Sequence, residues 1–413
     1  MLSLPPALKH PKFRIFWLAL LISAAGSQMQ TWALFWHIRS LSEAPLALGM
    51  MGLARIIPIV LFSLIGGSIA DNFNRRTVMF FSQSVMTLSA LALAFLTLGG
   101  HIALWHIYSL TAIQALALAF DSPSRQSLIP NLVPARDLAN AFSMTSIAFQ
   151  TGSVAGPALS GLVIAYLGQS AAYFLNVLSY GAIFLALALI GPIAQQLASQ
   201  VGQKAQRALS LSSMREGIQF ILSQPLILST MLIDFFATFF SAANTLLPIV
   251  ARDILQVGAV EYGWLSASLS LGAIIAAVIL SQIQNLRPQG LIFLLAVMAF
   301  GLATIAFGFS RSLPTAMLSL MLIGAADSVS TIIRNTIRQL QTPDYIRGRM
   351  IGINQIFFMG GPQLGEIEAG LVAQFFGAPF AIVSGGIGCI VAVSLIARRW
   401  PILWHYRGDE LES

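Results

Sequence analysis

Long apolar runs follow one another along almost the whole chain, separated by short polar or glycine-bearing breaks. A run of about 20 apolar residues is long enough to cross a ~30 Å hydrocarbon core as a helix. Twelve such spans can be drawn, at 13–38, 47–70, 77–99, 103–124, 138–167, 170–194, 224–251, 260–284, 289–309, 313–335, 348–376 and 378–399. The breaks around Gly99–Gly100, Gly168 and Gly377 are short and nearly without charge, which leaves no room there for a separate domain. The one long interior break, 195–223, is polar, rich in Gln and Ser, and carries Lys204, Arg207 and Arg215. Its second half, SLSSMREGIQFILSQP, has the pattern of an amphipathic helix lying on a membrane surface, with Ser210 placed to cap it and Pro225 opening the next span. The expected organisation is a six-span half over 1–194, a linker over 195–223 and a second six-span half over 224–413.

Composition agrees with this pattern. The chain is 57% hydrophobic and only 9% charged, where a soluble domain carries roughly 25% charged residues. It therefore reads as an all-α membrane protein. A net charge of +7 would suit a nucleic-acid binder, but the charges are placed otherwise. Roughly eighteen of the 22 Lys and Arg fall at the two ends and in alternate loops, leaving Arg39, Arg55, Arg252 and Arg311 as exceptions. That is the positive-inside arrangement. It predicts both termini in the cytoplasm and explains the basic balance by topology, with the lipid bilayer and not nucleic acid as the partner.

The N-terminal LKHPKFRIFWLALLISAAG begins like a signal peptide, but the apolar run continues past Trp32 and Trp36 without a clear cleavage site and reads as a retained first span. Cys389 is the only cysteine, so no intrachain disulfide can form. The five histidines are scattered without metal-ligand spacing, and no P-loop appears. Neither ATP, a metal nor another cofactor is expected, and an enzyme is the weakest reading.

The halves repeat. Arg125 and Arg334, Ser127 and Thr336, Pro134 and Pro343, Gly152 and Gly361, Gly156 and Gly365, and Gly161 and Gly370 all stand at one offset of 209 (334 − 125 = 361 − 152 = 209). Coincidence does not hold a register over the fourth and fifth spans and then the tenth and eleventh.

Between the second and third spans stands GGSIADNFNRR, Gly66 to Arg76, with Asp71 close to Arg75 and Arg76. The spacing G-x-x-x-D-x-x-x-R-R, starting at Gly67, resembles the signature loop of the major facilitator superfamily, although that family usually has Gly where Asn74 stands. The fourth span ends in FDSPSRQSLIPNLVP, and the fifth holds GSVAGPALSG, with Gly152, Gly156, Pro157 and Gly161. The latter is similar to the glycine-proline antiporter motif of exporters in that superfamily; the alternative is a plain packing face of small residues. The wider N-terminal pattern looks like the bacterial subgroup of enterobactin-exporter-like permeases. The resemblance implies two pseudo-symmetric six-helix halves with a central cavity, alternating access, a monomer in the bacterial inner membrane, and efflux of a bulky organic compound driven by protons. An importer of a nutrient and a flippase for a lipid-like substrate are the rival readings on the same fold.

Several residues stand out as working parts. Asp121 and Arg125 share a helix face if the helix survives Pro123. With Gly67, Asp71, Arg75 and Arg76 they form an expected cytoplasmic gate, in which the resemblance makes Asp71 a latch. The corresponding loop of the second half, SQIQNLRPQG, keeps Arg287 but has no acid. Inside the spans lie Arg55, Asp234, Asp327, Glu366 and Glu368. An intramembrane charge needs a partner or a water-filled cavity, and an acid shielded from water holds its proton more tightly, as a proton-coupling group must. Glu366 and Glu368 are two residues apart, about 200° around a helix, and so cannot share one cavity. Glu366, at the repeat position of Pro157, is the first choice as proton carrier and Asp234 the second, with Arg55 as a partner for an acid or for an anionic substrate. Gln28, Trp32 and Trp36 of the first span and Phe236, Phe240 and Asn244 of the seventh are expected to line a cavity for a large amphipathic ligand.

Overall fold

The computed structural model describes residues 5–191, 211–240, 243–283 and 287–408; at 63–72, 211–214, 243, 344–345, 347–349, 351–352, 355–356 and 358–359 it describes the backbone alone. Among the described residues the chain is helical and contains no strand. Six long helices come first: α1 (Pro11–Leu41), α2 (Pro45–Asn72), α3 (Arg75–Leu98), α4 (Leu104–Leu128), α5 (Leu138–Leu167) and α6 (Gln169–Ile190). The amphipathic stretch is α7 (Leu211–Ser223), and Pro225 opens α8 (Pro225–Phe240) as expected; Ser210, the expected cap, lies outside the described residues. The remaining long helices are α9 (Ala259–Ser281), α10 (Gln289–Phe309), α11 (Leu313–Leu340), α12 (Asp344–Phe376) and α13 (Ala378–Arg399).

The seventh predicted span, 224–251, is not one helix. After α8 the backbone takes a 3-10 turn at Ala243–Leu246, a short helix at Leu247–Ile249 and a π turn at Val250–Ile254. Asn244 and Thr245 carry side chains that compete with the backbone for hydrogen bonds, and Pro248 has no N–H to give, so the α pattern fails there.

Among the described residues, nine helical segments hold a window apolar enough to cross a membrane. The long helices without one are α1, α4 and α12, which carry Gln28, Gln30 and His37, then Gln114 and Asp121, then Gln363, Glu366 and Glu368. Gln28, Asp121, Glu366 and Glu368 among these are expected site residues.

The chain forms two compact units: Met1–Leu41 with Ala54–Gln206, and Ser42–Leu53 with Arg207–Ser413. The first turns of α2 thus pack with the second unit, where Gly49 and Gly52 lie against α12. A Cβ at Gly52 would fall 2.9 Å from Cβ of Glu366, and one at Gly370 would fall 2.9 Å from Cα of Gly49. In the first unit α1 packs on α5 and α6, and α3 on α4 and α6. In the second, α8 packs on α12 and α13, and α10 on α11 and α13, which repeats the scheme with each helix replaced by its counterpart.

The repeated glycines explain part of this. A Cβ at Gly152 would lie 2.8 Å from Cβ of Ala24, and one at Gly156 2.8 Å from N of Met29, both on α1. Their counterparts Gly361 and Gly365 meet α8, with gaps of 3.1 Å to O of Phe235 and 3.0 Å to Cα of Phe239. In each unit small residues let one helix press backbone to backbone on the first helix of its own half.

One end of the first unit is sealed by a 3-10 turn at Pro6–Lys9, whose Ala7 and Leu8 join Phe13, Phe16, Met79, Leu128 and Leu132 in a buried apolar cluster. Across the adjacent loop Asn74 caps α3, its Oδ1 accepting from the N–H groups of Arg76 (3.0 Å) and Thr77 (3.4 Å). Asn74→Ala should cost about 1 kcal/mol and Asn74→Gly only a few tenths, a difference readable as two distinct thermal midpoints in detergent. Equal midpoints would mean that the cap contributes nothing.

Candidate functional site

In the first unit α4 continues through Pro123, and Asp121 and Arg125 do share a face, with Oδ2 of Asp121 3.2 Å from Nη2 of Arg125. Asp121 is fully buried, and its Oδ1 accepts from Nε2 of Gln83 on α3 at 2.9 Å. Arg125 lies over the ring of Phe149, 5.0 Å from its centre. Arg75 reaches the same end of α4 by donating to the carbonyl of Ser127 at 2.9 Å, while Arg76 donates to the carbonyl of Leu187 at 3.0 Å and covers Phe80. The structure thus gathers Arg75, Asp121 and Arg125 at the end of α4 and sends Arg76 to α6. The side chain of Asp71 and the surroundings of Gly67 lie outside what the structure describes.

Deeper in the same unit, Gln30 is buried and joins two other helices. Its Nε2 donates to Oε1 of Gln114 (2.8 Å) and its Oε1 accepts from Asn176 (2.7 Å). Such amides must satisfy each other away from water. Gln30 therefore cross-links α1, α4 and α6, whereas Gln28, Trp32 and Trp36 are only half-buried. Arg55 holds its guanidinium 5.3 Å from the centre of the Phe35 ring, a cation–π contact within the first unit.

The second unit contains a charge cluster of a different make. Asp234 of α8 is 2% exposed and meets two arginines of α11: its Oδ1 is 3.0 Å from Nη2 of Arg334, and its Oδ2 is 3.5 Å from Nη2 of Arg338. Arg338 also donates to Oδ1 of Asn354 (2.6 Å), the carbonyl of Thr230 (2.8 Å) and the Thr230 hydroxyl (3.2 Å). Arg334 has a second acid at hand, Oδ1 of Asp327 at 3.7 Å from its Nη1. The side chains of Arg334 and Asp234 are 4% and 2% exposed, whereas that of Asp327 is 49% exposed. Asp234, Asp327, Arg334 and Arg338 balance to zero when both acids are ionised.

Glu366 and Glu368 are half-buried on α12, Glu366 beneath Gly52. Pro157 and Gly161 are buried on α5 beside Gly152 and Gly156. Phe236 and Phe240 belong to a ring cluster with Phe235, Phe239 and Phe357; Phe240 also abuts α13, since a Cβ at Gly388 would touch its ring at 2.9 Å. Asn244 sits in the 3-10 turn after α8 and is half-buried.

Arg334 and Arg338 were not among the expected site residues. Both fall where the tenth span reads as ending in its basic cytoplasmic flank, so the positive-inside rule accounts for them without a site. Two signals were available. Arg334 stands at the repeat position of Arg125, and Asp327, Arg334 and Arg338 recur at spacings of seven and four, which keep one helix face.

A repeat of six long helices and six, with charge clusters inside spans, is the architecture of the major facilitator fold. Solved structures similar to it agree. A bacterial homologue of the human lysosomal transporter Spinster superposes with a TM-score of 0.73 at 13% identity, covering 97% of this chain and 99% of that one. A D-xylose–proton symporter superposes with a TM-score of 0.68 at 15% identity, covering 94% of this chain and 97% of the other. More particularly, a family model for transmembrane secretion effectors matches residues 3–403, and the chain belongs to that family of the major facilitator superfamily. The enterobactin exporter EntS of Escherichia coli K12 is 25% identical over 398 residues, 96% of this chain and 94% of EntS. YfiS of Bacillus subtilis, an MFS-type transporter, is 24% identical over 368 residues, 87% of this chain and 86% of YfiS. The chain is thus a multi-pass membrane transporter of small molecules, and not an enzyme.

Proposed function

We propose that the protein exports a bulky organic compound, of the size and character of a siderophore or amphipathic drug, in exchange for protons. The observation that carries this reading is the asymmetry of the acids around Arg334. Asp234 is enclosed, with two guanidinium groups 3.0 and 3.5 Å from its carboxylate oxygens. Asp327 is half-exposed and meets Arg334 at only 3.7 Å. A charged group within a span is tolerated where it faces water or a partner, so Asp327 is the acid able to exchange a proton. Glu366, the first choice from sequence, remains a second site. Protonating Asp327 leaves Arg334 to Asp234 alone, which ties proton binding to the packing of α8 on α11. The similarity to EntS supports an organic substrate and the outward direction. Both termini lie in the cytoplasm of a monomer in the bacterial inner membrane on this reading. The gate is the end of α4, with Asp71 as its latch.

The test is proton movement in liposomes holding the purified protein, with a panel of siderophores and drugs on either side. Compound-dependent proton flux is expected, and Asp327→Asn should uncouple it while leaving protein in the membrane. Flux that keeps its proton dependence in Asp327→Asn but loses it in Glu366→Gln would return the coupling site to α12. Compound movement indifferent to protons would make the protein a facilitator and reject the exchange mechanism.

A further inference from the structure

A cavity of about 300 Å³ opens in the second unit where α9 ends, α10 begins and α11 passes between them. Its walls are mainly apolar, with Ala277, Leu280 and Ile283 on one side and Ile332 and Ile333 on the other; Ser281 and Thr336 add hydroxyl groups, and Gln289 also lines it. None of the lining residues is charged. Val278, Ile279, Ile283 and Ile332 around it are exposed, so in a protein that crosses a bilayer its mouth meets acyl chains. Volumes near 300 Å³ are at the lower end of ligand sites.

Two features at the rim are polar and unexplained by the transport site. Gln289 opens α10, and its Oε1 is buried without a hydrogen-bond partner, a costly state unless something donates to it. The chain after α13 also turns back onto this spot. Leu403 and Tyr406 are buried, the Tyr406 carbonyl accepts from the N–H of Gly290 at 3.0 Å, and a Cβ on Gly408 would lie 2.7 Å from Cδ of Gln289. That hook carries the exposed Arg407 to the rim, and exposed Arg287 stands two residues before Gln289. Asp409 and Glu410, next along the chain, lie outside the described residues.

We propose that this cavity is a binding site for an anionic phospholipid bearing a hydroxylated headgroup, such as phosphatidylglycerol. One acyl chain occupies the apolar slot, Arg407 and Arg287 take the phosphate, and a headgroup hydroxyl donates to Oε1 of Gln289. Basic groups beside a groove between spans are the physical recipe for headgroup capture. None of Asp234, Asp327 and Glu366 lines the cavity, and the inference does not depend on the proposed substrate or on proton coupling.

Native mass spectrometry of the full-length protein in detergent, titrated with phosphatidylglycerol, phosphatidylethanolamine or oleate, tests it. Phosphatidylglycerol should be retained in preference to the other two. Arg407→Gln should weaken that retention about fivefold, as loss of one arginine near an anionic lipid implies. Ala277→Phe, which fills the slot, should abolish it; Ser281→Leu fills the mouth from an exposed helix end and serves if Ala277→Phe fails to fold. Unchanged retention in Arg407→Gln and in a folded filling variant overturns the proposal. Equal retention of oleate would make the slot a bare apolar groove, and equal retention of phosphatidylethanolamine would remove the charge argument; either also overturns it.

Discussion

Asp234→Asn is expected to cost the second unit about 3–5 kcal/mol, the usual loss when one partner is removed from a buried ion pair. The expectation rests on what would be left behind. Arg334 and Arg338 have side chains 4% and 2% exposed, and Asp234 is the acid that both of them touch. With an amide in its place, two guanidinium groups stay enclosed with less than one compensating charge, since Asp327 stands 3.7 Å from Arg334 and its side chain is only half enclosed. Arg338 keeps Asn354 and Thr230 as neutral acceptors, so the penalty falls mainly on Arg334. Combining Asp234→Asn with Arg334→Leu should therefore recover part of the loss, a non-additivity of about 0.5–3 kcal/mol. The measurement is the thermal midpoint of the purified variants in detergent, followed by tryptophan fluorescence. A single variant as stable as the parent would show that the arginines are sustained by something other than Asp234.

The charge clusters also show how far sequence reading reaches. Asp121 and Arg125 could be paired in advance because a helix fixes the geometry of residues four apart, whatever surrounds it. Asp234 and Arg334 could not, because they come from helices a hundred residues apart and no local rule sets which faces meet. The contact of Arg55 with the Phe35 ring is likewise set by packing and not by any local rule. The same limit applies to Gln30, whose amide partners on α4 and α6 are chosen by packing alone. The spans themselves were legible since bilayer thickness imposes their length, and the places where they extend or break are local. α11 runs to Leu340, past the predicted end at 335, because arginines that look like a flank are in fact inside a cluster. The seventh span breaks because Asn244, Thr245 and Pro248 weaken the α pattern, a signal present in the residues but overridden by the length of the apolar run.

The repeat glycines give the second large effect. Gly156→Ala is expected to destabilise the first unit by about 1–3 kcal/mol, the range for adding a methyl group to a filled interior. The added Cβ would press on Cβ of Gln28 and lie 2.8 Å from the backbone N of Met29 and 3.0 Å from the carbonyl O of Ala25. Two of these three atoms are backbone and the third, a Cβ, is fixed by it, so α1 and α5 must separate. Gly181 on α6 supplies the control, because a Cβ there would meet nothing within 4 Å. Gly181→Ala should be neutral or stabilise by up to about 1 kcal/mol, through helix propensity alone. The two readings of GSVAGPALSG then separate. If Gly156→Ala lowers the thermal midpoint and transport falls only in proportion to folded protein, the motif is a packing seam, as the matching contacts of Gly361 and Gly365 on α8 suggest. If transport fails while the midpoint holds, the close approach of α1 and α5 is needed for the transport cycle itself, and the seam belongs to the moving parts.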